Sequence, residues 1–235
     1  MTTLSQELEA KLVSAGAALV GFADVRCLDE AARGGMPCGV SIGVALDPSI
    51  VAGLGDGPTH RYHGEYDRAN ALLKRLAEIC VEQITERGHH AAALASVTTG
   101  DANIEPDPKR IPHKTVATLS GLGWIGKGAL LITPELGSAV RVCSVFTDAP
   151  LTVGKAISVS KCGACDECVT ACPAGAISGQ PWFAGRERAT FYDAYKCRDT
   201  ARQMAARLGI TVTICGVCIG ACPFTKRYVR KSGKA

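Results

Sequence analysis

Apolar positions in the N-terminal half of the chain recur with a helical period in two places. Leu4, Leu8 and Leu12 fall on one face of a helix that we predict over residues 3–16. A second, longer helix is predicted over residues 65–87, because its apolar residues form a stripe along one side. Gly16 closes the first segment and Gly88 follows the second, and glycine is the residue that most often ends a helix. The two helices are therefore expected to be amphipathic and to pack on a core.

Short apolar runs alternate with these helices and predict strands. A β-hairpin is predicted over residues 128–151, where two apolar runs flank the turn sequence Pro-Glu-Leu-Gly. The other predicted strands are at residues 17–25, 38–48 and 90–97. Helices and strands in this mixed order indicate an α+β sandwich with a largely antiparallel sheet.

Polar segments rich in glycine and proline separate these elements. Residues 51–64 and 98–112 are predicted to be long loops, and loops of this length in a compact domain are often functional. A short helix is expected to begin at His113 and to stop at Gly121 or Gly123. The loop at residues 51–64 and the start of this helix are therefore places to look for a site.

Composition narrows the class of protein. The 235 residues include twelve cysteines, and the formal net charge is +4. We expect no signal peptide and no membrane span, because no basic start leads into an apolar core and no apolar run reaches about 20 residues. Cysteines in such number without an export signal indicate a reducing cytoplasm. The small positive charge does not by itself indicate a nucleic-acid partner.

Four of the cysteines lie in the run CGACDECVTACP at residues 162–173. This spacing is that of the bacterial ferredoxin motif for a 4Fe-4S cluster. The first three thiolates of the motif can converge on one cluster, since two small residues let the loop bend around it. In proteins with two clusters the fourth cysteine, followed by proline, binds the other cluster.

The run CGVCIGACP at residues 215–223 supplies the second half of the motif, and one more cysteine lies in YKCRD. The two halves are related by an approximate symmetry, so each cluster is expected to take its fourth ligand from the opposite run. The predicted ligands of cluster one are Cys162, Cys165, Cys168 and Cys222, and those of cluster two are Cys172, Cys197, Cys215 and Cys218.

Zinc is the main alternative for these cysteines, because it also binds Cys-x-x-Cys pairs. A zinc site rarely needs three cysteines at this spacing and a fourth before proline, twice over. A disulfide framework fits less well, since nothing marks secretion.

The cysteine positions divide the chain into an α+β domain at residues 1–153 and a ferredoxin-like domain at residues 154–235. The insert between the two motifs is predicted to hold a helix at about residues 187–207. Cys80 and Cys143 lie in apolar runs and are predicted core residues.

Residues 113–151, with the sequence HKTVATLSGLGWIGKGALLITPELGSAVRVCSVFTDAPL, resemble the GLGWIGK-containing segment of epoxyqueuosine reductase and its relatives. Together with the two cysteine runs, the resemblance covers roughly residues 60–230. It implies a nitroreductase-like α/β sandwich followed by a ferredoxin-like domain with two 4Fe-4S clusters. The family includes reductive dehalogenases, which carry cobalamin on this scaffold. The chain is similar to a short form without the C-terminal repeats that help longer members hold transfer RNA.

The glycine-rich segment GLGWIGKG is not a P-loop, because no serine or threonine follows its lysine. Its backbone N–H groups and its lysine could contact a phosphate or amide of a cofactor, or the segment could be a structural turn. The resemblance favours cofactor contact. The candidate cofactor-binding residues are Gly121, Gly123, Trp124, Gly126 and Lys127.

Three residues are candidate proton donors. Asp107 lies at about the distance before GLGW at which the family has its catalytic aspartate, so the resemblance implies this role. His113 can exchange a proton near neutral pH, and Tyr62 can donate to a developing anion. Both are predicted to lie in or beside loops, where the alternative is a solvated polar group.

These features predict an enzyme, namely an oxidoreductase that passes low-potential electrons through two 4Fe-4S clusters. The expected acceptor in the N-terminal domain is a cofactor, with cobalamin favoured, or a substrate. The expected partners are a low-potential donor such as ferredoxin or flavodoxin, and a small molecule or corrinoid as substrate. One alternative is a protein that reactivates a corrinoid on a partner. Another is a reductase that modifies tRNA.

Overall fold

The computed structural model describes residues 3–94 and 111–233. Its N-terminal half begins with a helix that is capped as its sequence suggests, because the Thr3 hydroxyl accepts from the Gln6 N–H and the Gln6 side chain accepts from the Thr3 N–H. The elements of this half are α1 Leu4–Ser14, β1 Leu19–Asp24, β2 Cys38–Ala45, α2 Pro48–Val51, α3 His60–Thr85, β3 Ala91–Ala93, α4 His113–Leu119, β4 Trp124–Ile125, β5 Leu131–Ile132 and β6 Val140–Thr147.

Four strands form one antiparallel sheet in the order β1-β2-β6-β3. The central pair is β2 and β6, in register from Cys38 opposite Thr147 to Ala45 opposite Val140. Both strands are rich in valine and are buried over most of their length, because helices cover both faces of the sheet. The α+β class and the largely antiparallel sheet predicted from the sequence are confirmed.

The two faces of β2 follow the two-residue period of a strand. Val40, Ile42 and Val44 belong to the main core with α1 and α3. On the other face, Gly39 leaves room for Val116 of α4. The sheet is therefore the middle layer of a sandwich, and α4 and the GLGWIGKG segment that follows it lie on the face away from the long helix.

The C-terminal half is poor in regular structure until the cysteine runs begin. It contains α5 Glu167–Ala171, a 3₁₀ turn at Arg188–Thr190, α6 Ala194–Ala206, α7 Val217–Ala221 and α8 Pro223–Lys231. Four buried residues of this half join the main core, namely Ala205, Ile210, Ile214 and Val229. The Tyr228 hydroxyl donates to the Leu46 carbonyl at 2.9 Å. The N-terminal and C-terminal halves thus share one hydrophobic core, and the boundary at residues 153 and 154 stays a prediction.

The predicted hairpin at residues 128–151 is wrong. β5 pairs with β4, whereas β6 pairs with β2 and β3. Only one bridge, Thr133 opposite Gly137, closes the Pro-Glu-Leu-Gly turn. Gly137 has φ of +60° and lies against the backbone of Thr225 in α8. Because the C-terminal helix packs at this turn, the two apolar runs separate and join different sheets.

Two further predictions need correction. The loop predicted at residues 51–64 ends early, because α3 already begins at His60, with the Thr59 hydroxyl accepting from the Tyr62 N–H at 3.0 Å. The helix predicted at residues 187–207 begins at Ala194, where the Asp193 carboxylate caps it. In the described ranges, no helix is long and apolar enough to span a membrane.

Candidate metal centre

Two short helices present the ends of the cysteine runs with the same geometry. Cys172 directly follows the last residue of α5 and Cys222 directly follows the last residue of α7, and each cysteine precedes a proline. Both cysteines are extended, with φ of −67° and ψ of 112° at Cys172 and φ of −61° and ψ of 125° at Cys222. Since proline keeps the residue before it out of the helical region, each helix must stop there. Helices α5 and α7 pack against each other, so the two cysteine runs meet.

One cavity of about 100 Å³ lies among the cysteines of the first run. Its walls include Cys162, Cys165, Cys168 and Cys222, which are the four predicted ligands of cluster one, and Cys218 also lines it. Burial, followed by the neighbouring thiols of Cys162, Cys222 and Cys165, raises the pKa of Cys168 to about 11. A buried thiol group of this kind gains from a bound cation, since metal coordination deprotonates it outright.

The other four thiols form a second group. Burial raises the pKa of Cys218 above its usual range, and the nearby thiols of Cys197, Cys215, Cys168 and Cys172 add to the effect. Burial also raises the pKa of Cys197, as does Cys172 to a smaller extent, while a hydrogen bond from Tyr192 acts in the opposite direction. The predicted ligands of cluster two are therefore near one another.

The donor chemistry at both places suits iron–sulfur clusters. All eight cysteines have free thiols, and thiolate is the soft ligand that these clusters use. Within residues 3–94 and 111–233, no group of three or more His, Cys, Asp or Glu side chains is arranged to hold a single metal ion. The residues present fit two clusters with one cysteine exchanged between the two runs.

The GLGWIGKG segment forms a wall of the first cavity. A β-carbon on Gly126 would lie 3.5 Å from Cys162 Sγ, and one on Gly128 would lie 3.9 Å from both Cys168 Sγ and Cys218 Cβ. The side chain of Lys127 lines the same cavity, and its Nζ lies 2.5 Å from Oδ1 of Asp166. The lysine predicted to meet a cofactor phosphate is thus paired with a carboxylate of the cysteine loop.

The remaining residues of this segment are tightly packed. Gly121 has φ of +82°, and a β-carbon there would lie 2.7 Å from the Lys155 carbonyl oxygen. A β-carbon on Gly123 would overlap the backbone of Ile132. Trp124 is 2% exposed, and its indole N–H has no hydrogen-bond acceptor among the described residues. Its ring meets that of Phe224 edge-on at 5.0 Å.

The candidate proton donors lie in different surroundings. Tyr62 is a core residue of α3 beside Gly216, and burial raises its pKa above the usual range. His113 is the first residue of α4, and its Nδ1 lies 3.2 Å from Ser144 Oγ. The third candidate, Asp107, lies outside the described residues.

Sequence reasoning missed three neighbours of the clusters, namely Asp166, Phe224 and Tyr192. Asp166 lies 39 residues from Lys127 in the chain, and Phe224 lines the first cavity. Burial raises the pKa of Tyr192 above its usual range, followed by the adjacent Cys197 thiol. The amino-acid sequence alone does not indicate which lysine forms an ion pair with which carboxylate. Asp166 sits inside the cysteine loop, and only that position could have drawn attention to it.

Comparisons with known proteins agree with this geometry. A family model described as a 4Fe-4S double cluster binding domain matches residues 161–225. Epoxyqueuosine reductase from Synechococcus sp. (strain CC9605) is 30% identical over 215 residues, which are 89% of this chain and 61% of that protein. The chain is therefore similar to an epoxyqueuosine reductase over most of its length, and residues 161–225 match a 4Fe-4S double cluster binding domain.

A reductive dehalogenase is also similar to part of the chain. Tetrachloroethene reductive dehalogenase from Sulfurospirillum multivorans is 33% identical over 114 residues, which are 47% of this chain and 23% of that protein. The chain spans 61% of the length of the Synechococcus relative and 23% of the length of the dehalogenase.

Solved structures show the same fold. A catabolic reductive dehalogenase superposes with a TM-score of 0.73 at 18% identity, covering 97% of this chain and 33% of the dehalogenase. An epoxyqueuosine reductase solved with a modified tRNA stem loop superposes with a TM-score of 0.61 at 18% identity, covering 95% of this chain and 65% of that chain. The nitroreductase-like sandwich with a ferredoxin-like two-cluster domain is confirmed as the fold.

Proposed function

We propose that this protein is an iron–sulfur reductase that carries low-potential electrons through two 4Fe-4S clusters to an acceptor in its N-terminal half. The supporting observation is the grouping of eight thiols into two sets of four, each with one cysteine from the opposite run. The two sets meet at Gly128, which is close to Cys168 of one set and Cys218 of the other. Clusters that are this near can exchange single electrons, as a two-cluster ferredoxin does.

The expected metal content tests this proposal. Protein reconstituted without oxygen should hold about eight irons and about eight acid-labile sulfides per chain, from two four-iron clusters. Iron, sulfide and zinc are measured on the same sample. A content of about four irons, or of zinc equal to the protein, would contradict the two-cluster proposal.

The physiological donor that we propose is a small low-potential electron carrier of the ferredoxin or flavodoxin class.

A corrinoid is the acceptor that we favour. One solved relative is described as suggesting a mechanism for B12-dependent dehalogenation, and it superposes with a TM-score of 0.71 at 18% identity. Trp124 offers a buried indole N–H that lacks an acceptor in the described part of the chain, and an amide or phosphate of a cofactor could fill that role. When bound, a corrinoid would supply the reductive chemistry, and the protein would supply electrons, orientation and protons.

Added cobalamin tests this choice. The visible spectrum of cobalamin should shift on binding to the reconstituted protein, because binding would move the corrin from water into the protein. Trp124→Phe, which removes the N–H and keeps the ring, should weaken binding by about 2-fold to 10-fold, since a hydrogen bond contributes about 0.5–1.5 kcal/mol. An unchanged spectrum with cobalamin in large excess would mean that the acceptor is not a corrinoid held by this chain.

Of the two candidate proton donors in the described part of the chain, His113 is the one that we favour for proton exchange. It is half-buried at the start of α4, next to the buried Ser144 hydroxyl. Tyr62 lies in the core near Cys218 and Cys215, so we assign it a packing role beside cluster two. Asp107 stays a candidate on the family resemblance alone.

Two alternatives have some support. The protein could reduce a corrinoid on a partner protein, in which case clusters would assemble but added cobalamin would not bind. It could also act on tRNA, as the solved relative with a tRNA stem loop suggests. Helix α8 carries Lys226, Arg227, Arg230 and Lys231. Binding of a tRNA stem loop that weakens steeply as salt rises would support that alternative.

A further inference from the structure

Lys127 is a buried lysine beside the thiols of the first cavity. It is 5% exposed, and it lines the cavity together with Cys162, Cys165 and Cys168. Lysine is almost never this deeply buried unless it is paired. Its partner is Asp166, with Nζ to Oδ1 at 2.5 Å, and Asp166 lies between Cys165 and Cys168 in the loop.

The two halves of this ion pair are exposed to different degrees. The Lys127 side chain is 6% exposed, whereas the Asp166 side chain is 58% exposed. Water screens the carboxylate charge effectively, but it screens the buried ammonium charge much less. The carboxylate charge is therefore screened more strongly than the ammonium charge, and we expect the pair to leave a net positive influence beside the cavity.

We propose that the buried charge of Lys127 raises the reduction potential of cluster one. This inference rests on the proposed two-cluster function. Reduction adds one electron, supplied by the low-potential donor, to the cluster and breaks no bond there. Because the added charge is negative, a nearby buried cation stabilises the reduced cluster, and local charge is one of the factors that set such potentials. Cluster two is expected to respond less, since only Cys218 of its ligands borders this cavity.

A purely structural role for the pair makes a different prediction. If Lys127 and Asp166 only hold the cysteine loop against the GLGWIGKG segment, removing either side chain breaks the same contact. Both variants would then shift the potential in the same direction. If charge is what matters, the two variants act with opposite signs, because one removes a positive charge and the other removes a negative charge. The sign of the two shifts separates the explanations.

The test is a redox titration of the reconstituted full chain, followed by electron paramagnetic resonance. Lys127→Met should lower the potential of cluster one, Asp166→Asn should raise it, and Lys127→Arg should leave it near the wild-type value. Lys161→Met is the matched control, because Lys161 precedes Cys162 directly but is exposed. Its shift should be smaller than that of Lys127→Met, since water screens its charge. The reduction step that Cys222→Ala alters identifies cluster one.

Shifts of Lys127→Met and Asp166→Asn in the same direction would overturn the proposal, as would a Lys161→Met shift as large as that of Lys127→Met. If Lys127→Met does not assemble cluster one, Asp166→Asn and Lys127→Arg decide the matter by the same signs. Iron analysis of the wild-type protein is done first. A wild-type protein without two clusters would overturn the proposed function, whereas two clusters with shifts of the wrong sign would overturn only the role of Lys127.

Discussion

Replacing Cys222 with Ala is expected to remove the cluster that is built on the first cysteine run, although Cys222 belongs to the second. Cys222 lines the same cavity as Cys162, Cys165 and Cys168, and it ends α7 in the extended conformation that precedes Pro223. The iron content should fall from about eight to about four atoms per chain. The electron paramagnetic resonance signal that remains should be that of cluster two. Because metal binding contributes to folding, the first cysteine run at residues 162–173 should also become sensitive to protease.

Cys80→Ala is the matched control for this substitution. Cys80 is fully buried in the main core, and burial raises the pKa of its thiol to about 12. It is no part of either group of four, so its loss should change stability but leave the iron content unchanged. If Cys222→Ala instead removed the cluster around Cys215 and Cys218, each run would bind its own cluster and the exchange of ligands would be wrong.

Replacing Leu54 with Ala is expected to destabilise the protein by about 2–5 kcal/mol and to loosen cluster two. Leu54 is fully buried. Its side chain fills the space above two glycines of the second cysteine run, since a β-carbon on Gly216 would lie 3.0 Å from Leu54 Cδ1 and one on Gly220 would lie 3.3 Å from Leu54 Cβ. The cavity left by the substitution therefore lies against the segment that carries Cys218.

Urea unfolding of the reconstituted protein measures this effect, with cluster absorbance and tryptophan fluorescence recorded together. Leu208→Ala is the control, because Leu208 is 39% exposed just beyond α6 and should cost far less. The Leu54 variant should lose cluster absorbance at lower urea than the control. If the two leucine variants behaved alike, the N-terminal half would not support the second cysteine run.

Local features of this protein could be predicted from its sequence. The spacing of the cysteines and the prolines after them fix how each run bends, because these constraints act over a few residues. The apolar periods gave α1, most of α3 and the three strands β1, β2 and β3, since one face of each element must be buried. The helix starting at His113 was also predicted, and it ends at Leu119, just before Gly121.

Contacts between distant segments could not be predicted in this way. The partners of β6 depend on where α8 packs, and Gly137 lets α8 approach the turn that would otherwise close a hairpin. The start of α3 was missed because the segment before it is rich in glycine and proline, which favours a loop. In the fold, Tyr62 and Tyr66 are buried against the core, and the helix extends back to include them.

The candidate site shows the same division. The sequence by itself predicts which eight cysteines form the two sets, because motif spacing and symmetry assign them. Only the tertiary structure decided what surrounds them, since Lys127 and Asp166 are brought together across 39 residues by the packing of the GLGWIGKG segment on the cysteine loop. An ion pair between separate segments depends on that packing, and no local pattern of residues encodes it.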